Sequence, residues 1–82
     1  MFVAFNLRTQ KNVINFDRVS EFTVHCGSTP DQIRMVIYTV NEQDPWCWTF
    51  VDKEALEKTY NDIILGLQEK ETFIDIPADR LA

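Results

Sequence analysis

The side chains best suited to chemistry in this chain share one alternating segment, Glu21-Phe22-Thr23-Val24-His25-Cys26. His25 is the only histidine, and Thr23 and Glu21 share its face at spacing two. A hydroxyl, an imidazole and a carboxylate therefore form a row, the residue types that nucleophilic catalysis requires. The spacing defeats the arrangement: side chains two apart on a strand stand ~7 Å from each other, beyond direct hydrogen bonding. A solvated strand face accounts for the row better than a triad does.

Metal binding fares no better. Cys26, Cys47 and His25 are the only soft ligands, and His25 and Cys26, being adjacent on a strand, point to opposite faces. At most two soft ligands can meet, whereas a zinc site takes three or four protein ligands. Both cysteines are expected to be buried structural thiols, unbridged in a reducing compartment. The two glycines, Gly27 and Gly66, are 39 positions apart, so no glycine-rich phosphate loop exists. No catalytic residue, cofactor site or metal site is assigned, and an enzyme is not expected.

Pro45-Trp46-Cys47-Trp48 is the most unusual local composition. Two tryptophans at spacing two share a strand face, and Phe50 extends the row. Such a row serves as the sheet face that receives a helix, or as an interaction surface, since aromatic residues dominate both settings. The core reading outweighs the other. Ile33 to Val40 adds a second apolar face, with Ile33, Met35 and Ile37 on one side and Val36, Tyr38 and Val40 on the other. A strand apolar on both sides is central, or it offers one face to a partner. Val36, Tyr38, Val40, Trp46 and Trp48 are accordingly the candidate interaction residues.

Charge supplies the remaining candidate. Thirteen acidic side chains against eight basic ones give a net charge of −5, and residues 42–82 alone, with ten acids and four bases, carry −6. Such a surface repels a phosphate backbone, so direct nucleic-acid binding is disfavoured. Glu54, Glu57, Asp62 and Glu69 form a candidate acidic surface, suited to the basic groove of a nucleic-acid-handling enzyme. They fan over a wide arc, however, as on a solvated helix face.

These residues are positioned by elements legible in the hydropathy pattern. Eighty-two residues with 45 % hydrophobic and 12 % aromatic content make one domain, 1–82. Strand periodicity marks Phe2–Arg8, Val13–Phe16, Glu21–Cys26, Ile33–Val40 and Trp46–Val51, separated by turn-length polar segments. Hairpin-length connectors predict antiparallel pairing. Asp52 is a helix N-cap, and Leu56, Tyr60, Ile63 and Leu67 then recur at helical spacing, predicting one amphipathic helix over about 52–68. Thr72–Ile76 reads as a short terminal strand, stopped by Pro77 and delivered either beside the tryptophan strand or to an edge. Ala78–Ala82 is expected to be loosely held. The predicted fold class is α+β: an antiparallel sheet of about five strands, one helix and a short terminal strand. No apolar run approaches the ~18 residues of a membrane span, and no leader pattern precedes the first strand. A soluble, cytoplasmic protein with no membrane partner is the expectation.

Asn12-Val13-Ile14-Asn15-Phe16-Asp17-Arg18-Val19, followed by an alternating strand and a late Ala55/Tyr60/Ile63 helix, resembles a loose group of small uncharacterised proteins. They come from bacteria, their phages and mobile elements, and pair a β-meander with one C-terminal helix. The likeness covers roughly residues 2–68 and implies a bacterial or phage accessory protein. The two-faced Ile33–Val40 strand and the absence of catalytic signatures give the expectation of a non-enzymatic protein-interaction module, as a monomer or a homodimer, acting through an apolar sheet face or edge. The alternative is an acidic inhibitor or nucleic-acid mimic.

Overall fold

The computed structural model describes residues 1–82. Its elements are β1 (Phe2–Asn6), β2 (Lys11–Asn15), β3 (Val19–Cys26), β4 (Ile33–Thr39), β5 (Trp46–Thr49), α1 (Lys53–Gln68) and β6 (Phe73–Ile76), with single 3-10 turns at Phe16–Arg18, Pro30–Gln32 and Ala78–Arg80. The chain is α+β with one helix and six strands, but the strands form two small sheets rather than one sheet of five. The orders are β2-β1-β6 and β3-β4-β5. Pairing is antiparallel except between β1 and β6, which run parallel, Phe2 against Phe73 and Phe5 against Ile76. All the chain from β2 through α1 lies between β1 and β6, ample length for a parallel pair, and β6 takes the edge beside β1.

The two sheets share one core. Val3 and Phe5 point into the core, where they meet Met35, Ile37, Trp48 and Phe50 of the second half of the chain. Phe5 and Trp48 stack with ring centroids 3.8 Å apart and planes 10° off parallel. The tryptophan row thus receives the first sheet rather than the helix. Trp48 is 4 % exposed, and its indole Nε1 donates to Asn12 Oδ1 at 3.3 Å.

Helix α1 starts as the sequence predicts: the Asp52 carboxylate accepts the Ala55 amide at 2.7 Å. Its buried stripe is rotated from the expected one, being Leu56, Thr59, Ile63 and Gly66. Tyr60 and Leu67 lie at the rim, exposed. The smaller residues win the inner positions because they let the helix approach the strands. A Cβ on Gly66 would collide with Ile74 Cδ1 and sit 3.2 Å from Met1 Sδ. Tyr60 instead stacks on Phe22 of β3, with centroids 5.4 Å apart. The helix ends in a Schellman turn, in which the Glu71 amide donates to Gly66 O at 2.9 Å and Lys70 takes φ 57°.

The C-terminal segment is tied down, not loose. Leu81 is buried and bridges Phe50; the Val51 amide donates to Arg80 O at 3.0 Å, and the Ala82 amide to Thr49 O at 2.8 Å. Arg80 reaches Asp62 Oδ2 at 2.8 Å, fastening the strap to the helix. Both cysteines are free and exposed, contrary to the expected burial. Cys26 lies near the open end of β3, and Cys47 points away from the core between Trp46 and Trp48. No helix is long and apolar enough to cross a membrane.

Candidate interaction surface

The expected interaction residues separate into core and surface. Trp48 is core and Trp46 is half-buried beside it, stacked at 6.1 Å. Val36, in the middle strand, is 8 % exposed because Thr23 and Cys47 flank it in register. Tyr38 and Val40 are exposed. Their face of the β3-β4-β5 sheet is otherwise polar, since alternation places Glu21, Thr23, His25 and Arg34 on it. It is the wet side of a sheet with one dry side.

The apolar open face belongs to the other sheet. Because Val3, Phe5, Ile14, Ile74 and Ile76 point to the core, Phe2, Ala4, Val13 and Phe73 must point outward. Register places Phe2 directly beside Phe73, and Ala4 beside Val13. Ala4 is fully buried beneath its neighbours, while Phe2, Val13 and Phe73 are 47, 50 and 51 % exposed. Three large apolar side chains thus surround a shallow floor at Ala4. Asn6 and Asp75, joined by a 2.7 Å hydrogen bond, close the polar end with Lys11. On the opposite side Phe2 borders an open cleft of about 430 Å³ that it shares with Met1, Leu67 and Lys70.

Alternation in the sequence already puts Phe2 and Ala4 opposite Val3 and Phe5. What the sequence did not disclose is the β1–β6 pairing that brings Phe73 to Phe2 across most of the chain.

The acidic residues do not converge. Asp62 is engaged by Arg80, and Glu57 lies 3.9 Å from Lys53 Nζ. Glu54 shares a shallow cleft with Lys58 and Arg80. Glu69 lies past the last helical turn, next to Lys70. Lys53 and Lys58 flank the acids of the first half of the helix, and Arg80 reaches Asp62 from the C-terminal segment. His25 neighbours Cys26, Gly27, Gln32 and Arg34 in an open depression, with Arg34 its cross-strand partner. No group of three His, Cys, Asp or Glu side chains converges as metal ligands would. Comparison with protein-family models, with curated proteins and with solved structures returns no match.

Proposed function

We propose that this chain is a non-enzymatic protein-interaction module whose docking surface is the outer face of the β2-β1-β6 sheet. The observation that carries the reading is the row of Phe2, Val13 and Phe73, each about half exposed on one open sheet face. Lone exposed apolar residues are ordinary, whereas a contiguous group rimmed by polar residues marks an interaction site. The partner is a protein presenting an apolar face of its own. Tyr38 and Val40, on the wet face of the second sheet, are secondary candidates. The resemblance to small bacterial and phage proteins supports the reading of an accessory protein of that kind, and its two free thiols suit a reducing cytoplasm.

The acidic-inhibitor alternative has no comparable observation behind it, because Glu57 lies beside Lys53, Asp62 is held by Arg80 and Glu54 shares its cleft with Lys58. The deciding experiment is affinity capture from bacterial lysate with the wild-type chain and with V13K/F73K, followed by high-salt washing. A partner held through apolar contact survives the wash, since salt screens charge contacts only, and is lost in the double variant. Capture unaffected by the double variant, or no specific capture, overturns the reading.

A further inference from the structure

The geometry points to a second binding element on a different surface: the free edge of β3 pairs antiparallel with β3 of a second copy, forming a continuous sheet across a two-fold axis. β3 is the longest strand and an outer one, hydrogen-bonded only to β4. The Gly27 amide donates to Gln32 O at 3.1 Å. Amides alternate in direction along an antiparallel strand, so His25, Thr23 and Glu21 also turn towards β4. Phe22, Val24 and Cys26 therefore turn their N–H and C=O groups outwards. None of the turn and loop backbone hydrogen bonds uses those groups.

Open edges are ordinarily blunted by shortness, by Lys, by Pro or by a bulge. The other edges here follow that rule. β5 and β6 are four residues each, β6 runs into Pro77, and β2 begins with Lys11. In β3 the only such device is a register shift between Val19 and Glu21, at its start. Glu21–Cys26 continues without Pro, Gly or Lys, and with strong strand formers.

The charge pattern selects the second copy as occupant. Glu21 marks one end of the outer face, and His25 with its cross-strand partner Arg34 marks the other. An antiparallel two-fold at Val24 sets Val24 against Val24 of the second copy and Phe22 against its Cys26. The same rotation brings the acidic end of each edge to the basic end of the other. An acidic chain of net charge −5 repels itself over most of its surface, and this edge is a place where that repulsion is relieved. Such an isologous contact is self-complementary and closes at two copies. It also covers Val24, 41 % exposed, and the open groove of about 250 Å³ that Val24 and Cys26 form with Leu56 and Tyr60.

The test is sedimentation equilibrium of the full chain over a wide concentration range, with V24P, V24K and F73K beside the wild type. V24P removes an amide that the monomer does not use, and proline is tolerated on an edge whose N–H faces solvent. V24K sets two ammonium groups against each other at the two-fold. The expected result is a wild-type monomer–dimer equilibrium, a dissociation constant at least tenfold weaker in both Val24 variants, and no change in F73K. Amide exchange of the wild type gives an independent reading, with Phe22, Val24 and Cys26 slowed at least tenfold as the dimer fills. A wild-type chain monomeric at all concentrations, a dimer that survives V24K, or edge amides that exchange at the same rate throughout would each overturn the proposal. A dimer lost in F73K instead would place self-association on the outer face of the first sheet.

Discussion

Phe5 and Trp48 lie ring on ring at 3.8 Å, and this one stack joins the centres of the two sheets. Each residue sits on a strand whose other core-facing neighbours, Val3 and Trp46, extend the same contact. Replacing Trp48 by Ala removes the stack, the burial and the Asn12 hydrogen bond together. The expected loss is ~3–5 kcal/mol, a large part of the total stability of a domain this size. Urea titration of Trp48→Ala against wild type measures it; a loss below 1 kcal/mol would mean that the sheets are held together elsewhere.

Gly66 reverses a familiar expectation. In an exposed helix interior Gly→Ala is stabilising by ~1 kcal/mol, but here the new methyl meets Ile74 Cδ1. Gly66→Ala should therefore destabilise, whereas Gly66→Ala in an Ile74→Val background should recover the helix gain. The double-mutant cycle is expected to show a coupling of roughly 1 kcal/mol or more. Additive effects would show that Ile74 swings aside freely.

Lys70 carries the opposite opportunity. It holds φ 57° in the Schellman turn, a position where glycine has no steric penalty. Lys70→Gly is expected to raise stability by ~0.5–1 kcal/mol, read as a higher urea midpoint at unchanged slope.

The strap at the C-terminus should matter more through Leu81 than through Arg80. Leu81→Ala vacates a buried position and is expected to cost ~2–4 kcal/mol. Arg80→Met keeps the aliphatic stem and loses a partly exposed ion pair to Asp62 and a long hydrogen bond, 3.4 Å, to the Thr59 hydroxyl, together about 1–2 kcal/mol. Thermal unfolding of the two variants separates packing from charge, and an equal loss in both would refute the ranking.

Both thiols should react with an aromatic disulfide reagent in the native state, because Cys26 and Cys47 are exposed and unbridged. Two equivalents released under native conditions, at rates near those of the unfolded chain, is the expected outcome. Slow release from either would contradict its exposure.

Period and punctuation account for what was legible beforehand. The terminal strand Phe73–Ile76 lies inside the predicted segment, and the helix begins at the predicted cap. Both follow from local rules, alternation ended by proline and an acceptor placed before a helical stripe. Partnership was not legible. Alternation puts Trp46 and Trp48 on one face but cannot say whether a helix or another sheet lies opposite. The stripe at Leu56 and Ile63 was visible, yet Thr59 and Gly66 displaced Tyr60 and Leu67 because closeness of approach, not hydrophobicity, chose the inner positions. The outer face of the first sheet was missed for the same reason. Phe2 and Phe73 become one surface only through a pairing that no short window of sequence contains.

That pairing also orders events in time. The β3-β4-β5 meander closes through short connections and can form as soon as its residues exist. β1 lacks a neighbour along one edge until Phe73–Ile76 are made, and joining Phe2 to Phe73 closes a loop of 71 positions, at an entropic cost of about 4 kcal/mol. During synthesis on the ribosome, then, Val3 and Phe5 stay without their full cover until Phe73–Ile76 have emerged. β1, made before the meander, is sealed in place after it.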